Sequence, residues 1–382
     1  MALKVAINGE KKSIAGRTSR PVVFINGVKK RLTKGLTFIN GQKKYLWGTE
    51  NKIEVFTMTN SIYTSTYVGT PIYIDEKRLA LDGLTILDIS NISTATTVQS
   101  YGWGGFGVLS GFSESNTTFS SPASSSGVIN EIVYSGGDTG VVRYAFTFNF
   151  PSTSASFKGA NGARLNNGNY LIIYGVNVGT GSSGFLYKYT LYKNNTQIQN
   201  LDHTKYTLAE NVGNGILAYN SSYLYKITES GIGNKIFTAQ YGNTNAVRCF
   251  DGYIYVQTNL YLYKLDSSYG VVWSCDLREY LSGSDLTLGT NKLIGIGQDG
   301  KCYVLVSGKT GAKTTNFIIK EISLATGEVV NIYPFTHYNE DGGLIQDWRV
   351  GSYVSNSGYL GLVSKPSARA SNKIVVARIF VG

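Results

Sequence analysis

The 382-residue chain contains six prolines, three cysteines and two histidines, and 15% of its residues are charged. Each shortage closes off a class of protein. Cys249, Cys275 and Cys302 lie far apart with no Cys-x-x-Cys pair. An odd number cannot be fully paired, so a disulfide framework is excluded and three reduced, strand-borne thiols are expected. His203 and His337 are the only histidines, and no Cys/His spacing suits zinc. A Ser-His-acid triad would have to use one of the two, with no nucleophile elbow near either. EF-hand, P-loop and dinucleotide fingerprints are missing. No apolar run approaches membrane length, so no membrane partner is expected. Charges and an Asn-Gly step interrupt the start of the chain, where a secretory signal would need a hydrophobic core, so synthesis in a cytoplasm is expected.

A sustained helical pattern is also lacking, since no 3.6-residue apolar period lasts beyond two turns. What the chain has instead is 45 glycines, 28 tyrosines against 16 phenylalanines, and much Ser, Thr and Val. That composition favours strands and turns, and an all-β fold follows.

Two repeats organise it. The first is short: "VAINGEKK", "VFINGVKK" and "TFINGQKK" all fall within the first 50 residues. Asn-Gly between extended runs is the signature of a two-residue hairpin loop, because both residues tolerate positive φ. Asn8-Gly9, Asn26-Gly27 and Asn40-Gly41 are therefore expected hairpin tips, flanked by Lys11, Lys12, Lys29, Lys30, Lys43 and Lys44. Residues 1–50 hold eleven Lys and Arg and two acids, a net of +9 out of +11 for the whole chain, which leaves +2 for the rest. The basic character belongs to one end. Residues 1–52 are accordingly set apart as a docking arm of small hairpin modules. Its expected partner is an acidic protein surface, ahead of nucleic acid or cell-wall phosphate. The simpler account is that these lysines guard exposed strand edges against aggregation.

The second repeat is longer. "FLYKYT", "YLYKIT" and "YLYKLD" place Lys188, Lys226 and Lys264 at two steps of 38 residues. Looser copies are "LTILDIS", "VVRYAF", "FIIKEIS" and "VVARIF", giving seven marks at 88, 143, 188, 226, 264, 321 and 378. Most copies have an apolar strand before them and a turn and strand after, about four strands per unit. That describes a β-propeller blade. Residues 53–382 are expected to form a propeller of seven blades, or six if 101–150 is not a full blade. The last copy has no strand after it, and "IEVFTM" (53–58) has no blade before it. Strand 53–58 is therefore expected to pair with 375–380 and close the ring.

"LYKLDSSYGVVWS" (262–274) resembles the quinoprotein-type propeller repeat through Asp266, Gly270 and Trp273, with Tyr269 where that repeat has Thr. "EISLATGEVVNIY" (321–333) keeps Thr326-Gly327 but has Ser323 for the Asp and no Trp. The resemblance implies a turn between a blade's last two strands and no chemistry. The vicinal cysteines of cofactor-binding members are absent, so no cofactor is carried over. The lysine-flanked Ile-Asn-Gly arm is similar in style to virion-attachment modules on tail, baseplate or collar proteins of bacteriophages of Gram-positive hosts. That similarity implies docking to other virion proteins, in several copies on a symmetric particle.

Asp75 with Glu76, Glu340 with Asp341, and Asp347 are the acids a glycosidase could use. "YIDEK" and "YNEDGG" read more simply as solvated turns, and no enzyme is expected. Two stretches could hold a ligand. "YGWGGFG" sets Tyr101, Trp103 and Phe106 among glycines, a platform for stacking on a sugar ring. "FTHYNEDGGLIQDWR" gathers His337, Tyr338, Trp348 and Arg349 in a long gap between motifs, where propeller loops bind. The functional expectation is a virion structural protein that docks through its arm and presents a propeller for host-surface attachment, with a host saccharide as ligand. The alternatives are a propeller hydrolase or lyase acting on a surface polysaccharide, and an architectural protein without a host ligand.

Overall fold

The computed structural model describes side chains for residues 52–59, 71–81, 86–90, 162–180, 186–278, 289, 291–311, 313–314, 316–339, 342–355, 357–364 and 373–382, and the backbone alone for the other strands named below. The chain divides into two compact units, Met1–Glu54 and Val55–Gly382.

In the first unit Leu3–Ile7 pairs with Glu10–Ile14, Val22–Ile25 with Val28–Arg31, and Gly35–Ile39 with Gln42–Trp47, as three separate two-stranded sheets. The pairs Ile7↔Glu10, Ile25↔Val28 and Ile39↔Gln42 end the ladders. Lys11, Lys12, Lys29, Lys30, Lys43 and Lys44 belong to the second strands. The candidate tips Asn8, Gly9, Asn26, Gly27, Asn40 and Gly41 lie outside the described residues.

The second unit is an all-β propeller of seven sheets. From first strand to last, blade one is Pro71–Tyr73, Arg78–Leu81, Thr85–Asp88 and Thr96–Ser100. Blade two is Val108–Leu109, Thr117–Ser120, Ser126–Val133 and Val141–Asn149. Blade three is Phe157–Arg164, Tyr170–Gly181, Gly184–Lys193 and Thr196–Asn200; blade four is Thr207–Asn211, Ile216–Asn220, Tyr223–Thr228 and Gly231–Thr238. Blade five is Thr244–Phe250, Tyr253–Thr258, Tyr261–Leu265 and Val271–Asp276. Blade six is Leu286–Ile296, Lys301–Thr310, Lys313–Ser323 and Val329–Pro334. In blade seven the order is Arg349–Val350, Tyr359–Ser364, Lys373–Phe380 and then Ile53–Thr59, so a strand from the start of the chain lies beside one from its end. Tyr353–Val354 adds a short parallel strand to blade six along Gly295–Ile296.

From blade two to blade seven successive blades touch through their first strands, and blade seven rests on blade one through Tyr359–Ser364 and Pro71–Tyr73. There the Tyr73 N–H donates to the Tyr353 hydroxyl (3.1 Å), and Gly361 leaves room for the Tyr73 ring, which a Cβ would meet at 2.7 Å. Among the described residues first and second strands are largely buried, whereas the fourth strands Thr196–Asn200, Val271–Asp276 and Val329–Pro334 are mostly exposed. The fourth strands therefore form the rim.

The repeated motif is the third strand of its sheet in six of seven blades. "VVRYAF" is the exception, because Val141–Asn149 is the fourth strand of blade two and Ser126–Val133 the third. In blades five, six and seven the third strand is largely buried on both faces, which explains why the motif there reads as a nearly continuous apolar run; in blade three, by contrast, Leu186 and Lys188 are exposed. Leu262 packs with Leu293, Val304 and Ile322 of blade six, while Tyr263 and Leu265 pack with Leu217 and Leu224 of blade four. Each core is thus shared between neighbouring blades. The one joining blades seven and one holds Met58, Val363, Ile374 and Val376 against Tyr73, Leu79 and Leu87.

Polar ties supplement the cores. Lys264 is buried, its Nζ 3.8 Å from the Tyr253 ring centroid and donating to the Leu324 carbonyl of blade six (2.8 Å). Trp273 Nε1 donates to the same carbonyl (3.1 Å), and the indole lies on Gly327, where a Cβ would come within 2.6 Å of the ring. The turns before these contacts differ in conformation. Gly327 takes φ +77°, whereas in blade five the left-handed residue is Tyr269 (φ +66°), one place before Gly270. The two glycines that align in sequence do not play the same backbone role. Within blade six, Glu321 is almost fully buried and ion-paired with Lys301, and accepts from Asn331 Nδ2 (3.1 Å) and the Tyr333 hydroxyl. Burial alone would raise its carboxyl, but these partners together outweigh burial and hold it below its ordinary value. Cys275 and Cys302 are buried, Cys249 partly so, and none of the three is in a disulfide.

Candidate functional site

Antiparallel strands running in succession alternate their connections between the two ends of a blade. Turns between second and third strands, and the crossovers to the next blade, therefore emerge at one end; the remaining turns emerge at the other. Residues 335–348 form the crossover from blade six to blade seven and belong to the first of these ends.

The described residues of this segment are tied to one another across the turn. Tyr338 bridges to Leu344, the Ile345 N–H donates to the His337 carbonyl (2.9 Å), and Gly343 N donates to Asn339 Oδ1 (2.6 Å). Three rings clasp its base: Phe335 lies 4.8 Å from His337 and 4.7 Å from Trp348, centroid to centroid. Trp348 is 0% exposed. A ring that stacks on a ligand must have an open face, so Trp348 is corrected from a ligand contact to a plug beneath the loop. Burial also lowers the His337 imidazole from its ordinary value. Arg349, in the first strand of blade seven, pairs with Asp347 (2.9 Å). Tyr338, 62% exposed, is the candidate whose ring reaches solvent. Tyr101, Trp103 and Phe106, like Glu340 and Asp341, lie outside the described residues. Asp75 spends its carboxylate on its own turn, accepting from the Lys77 and Arg78 N–H groups (both 2.8 Å) and pairing with Arg78. Among the described residues no cluster of His, Cys, Asp and Glu could hold a metal ion.

The same end carries a patch that the sequence reading passed over. Tyr241, in the crossover from blade four to blade five, stacks on Tyr261 with centroids 5.2 Å apart and planes at 27°. The Arg278 guanidinium lies 5.5 Å from the Tyr261 ring and donates to its hydroxyl (2.9 Å). The available signal was alternation, since in "YLYKLD" a tyrosine recurs every second residue and so falls on one face of the strand. That motif served only as a marker of period. Its neighbour in space, "QYGNTN" (240–245), has no periodic feature at all.

At the other end Glu229 braces blade four against blade three. It accepts from Asn167 Nδ2 (2.9 Å), Asn169 Nδ2 and Lys193 Nζ (3.0 Å). Those hydrogen bonds, first from the two asparagines and then from Lys193, hold its carboxyl down to about 2, against an ordinary value of 4.5. A depressed folded-state value means that the stabilisation is present above pH 4.5 and lost as pH falls towards 2. The Glu229→Gln variant should accordingly show a shallower loss of thermal stability than the wild type over that window in a melting series. Parallel curves would contradict the brace.

No protein-family model matches the chain, and no curated protein matches it either. Among solved structures it is similar to the AfRom2 CNH domain (8% identity, 86% of this chain and 100% of that one, TM-score 0.47). It is also similar to BamB from Moraxella catarrhalis (10% identity, 90% and 100%, TM-score 0.34). A third is the Neurospora crassa Pan2 WD40 domain (11% identity, 72% and 90%, TM-score 0.36). At these values the likenesses concern fold alone. The seven-sheet topology itself defines the class: a β-propeller preceded by β-hairpin modules.

Proposed function

We propose that this protein is a structural and adhesive component of a bacteriophage particle, docked through residues 1–52 and presenting its propeller to the host surface. One observation carries the proposal. Nearly all the net charge, +9 of +11, sits in the first 50 residues, in three short paired-strand units, while the remainder of the chain is a large, nearly neutral wheel. Charge gathered on units too small to bury a core suits an interface built with a partner. Docking to other virion proteins on a symmetric particle would set several copies side by side. The propeller supplies exposed aromatic and amide side chains at one end, which suits attachment to a surface saccharide. Binding rather than turnover is favoured because the described carboxylates at Asp75, Glu229, Asp276 and Glu321 are committed to hydrogen bonds and ion pairs.

Mass spectrometry of purified particles tests the assignment: the protein should be a stoichiometric component, and its absence from every particle rejects the proposal. Retention of the purified protein on host cells without release of glycan supports adhesion. Glycan release would move it to the hydrolases and lyases, and lack of retention would leave an architectural role.

A further inference from the structure

We propose that the patch between blades four and five is a binding site for a neutral saccharide, with a pyranose ring laid on Tyr241. The inference gives the adhesive reading above a site and a ligand class, and it rests on that reading only for where the ligand occurs.

Four segments separate in sequence are stitched together here. Asn259 N–H donates to the Asn243 carbonyl (3.0 Å), Leu277 N–H to the Leu260 carbonyl (2.8 Å), and Thr244 N–H to the Ser221 carbonyl (2.8 Å). Gly242 makes the close approach possible. Its φ is +77°, and a Cβ there would lie 3.3 Å from both Cβ and N of Asn259. The Tyr241 ring is thus held by a turn with little freedom, one face on Tyr261, and it is 46% exposed. A fixed aromatic face loses little entropy on binding.

Three exposed amides lie on the segments this turn joins: Asn243 two residues on from Tyr241, Asn245 just after it, and Asn259 beside Gly242. Asn245 Nδ2 donates to Asn259 Oδ1 (2.7 Å), and Asn243 Oδ1 accepts from Ser221 Oγ (2.9 Å). Each amide therefore has one half occupied within the protein, leaving Asn245 Oδ1, Asn259 Nδ2 and Asn243 Nδ2 for a ligand: an acceptor and two donors beside a flat apolar surface. A pyranose presents the complement, an apolar C–H face rimmed by hydroxyls that both donate and accept. The nearby charge is already balanced. Arg278 is clamped by Asp276, Nη2 to Oδ2 at 2.6 Å and Nε to the two oxygens at 3.0 and 3.1 Å. Among the described residues of the patch an anionic sugar would gain no cation that is not already paired, which selects a neutral one.

The test uses the full chain on immobilised neutral oligosaccharides of glucose, galactose, N-acetylglucosamine and rhamnose, beside acidic polygalacturonate. Retention is expected on at least one neutral sugar and should persist when salt is raised from about 0.05 to about 0.5 M, because no ion pair is involved. Tyr241→Ala should weaken it by about tenfold or more, Tyr241→Phe should preserve it, and Asn259→Ala should weaken it several-fold. All three variants should melt with the wild type, since these side chains lie at the surface. The proposal is overturned if no neutral sugar retains the protein, if Tyr241→Ala binds unchanged, or if the higher salt abolishes binding. Absence of the protein from virions would reject the phage assignment while leaving a Tyr241-dependent sugar site standing; presence in virions with no sugar retention would do the reverse.

Discussion

Deleting residues 1–60 should lower the thermal midpoint by about 10 °C or more, while deleting residues 1–52 should leave it nearly unchanged. The eight residues that separate the two truncations contain Ile53–Thr59, the fourth strand of blade seven. Met58 on that strand is fully buried, and Phe56 packs against the same core, which joins blade seven to blade one through Ile374, Val376, Tyr73 and Leu79. Losing a buried methionine side chain alone costs about 2–5 kcal/mol, a chain of this size shifts its midpoint by about 1–2 °C per kcal/mol, and the lost strand pairing and the packing of Phe56 add to the methionine. The longer truncation also unpairs Lys373–Phe380, leaving the flank of a largely apolar strand open to edge-to-edge association. It should therefore aggregate on heating. Calorimetry with light scattering on the two truncated chains decides the matter. Equal midpoints for the two would show that Ile53–Thr59 contributes nothing to the wheel.

What the sequence made legible was whatever turn chemistry and strand period encode locally. Asn-Gly steps announce hairpins because two residues with positive φ satisfy the loop unaided, and the ladders in the first unit end at the residues flanking them. The same chemistry recurs at Asp251-Gly252, where both residues have positive φ between the paired Phe250 and Tyr253. The third strands of blades five, six and seven were legible because they are buried on both faces and so carry a regular apolar run. Blade two misled for the same reason. Its fourth strand, Val141–Asn149, is long and rich in Val, Tyr and Phe, whereas its third strand, "SGVINEIV", is broken by Gly127, Asn130 and Glu131. Side-chain roles were less legible. Trp348 stands between an acid and an arginine and looks exposed; only Phe335, 13 positions earlier and folded back on it, makes it a plug. The Tyr241 patch draws on segments around 221, 243, 259 and 277 that meet only when two blades pack. Nothing local to any of them marks the patch.

The Arg248→Met variant should be destabilised by about 3–5 kcal/mol, the range observed when one partner of a buried ion pair is removed. Arg248 and Glu210 lie on the first strands of blades five and four, with Nη1 and Oε1 3.2 Å apart and side chains 10% and 5% exposed. Arg248 also donates from Nη1 to the Val247 carbonyl (2.6 Å) and from Nε to the Ser352 carbonyl, in the loop joining the first two strands of blade seven. One guanidinium thus links three blades where their first strands converge. Removing it leaves the Glu210 carboxylate in a site from which water is excluded and two carbonyls short of a donor, and each loss acts in the same direction. The compensating double variant Arg248→Met with Glu210→Leu removes the stranded charge and should recover much of the loss, because a buried ion pair and a well-packed apolar pair are often close in free energy. Chemical denaturation of the wild type, both single variants and the double variant gives the coupling directly. If the double variant is as unstable as Arg248→Met, the cost lies in the hydrogen bonds to Val247 and Ser352, and the hub is held by those carbonyls rather than by the ion pair.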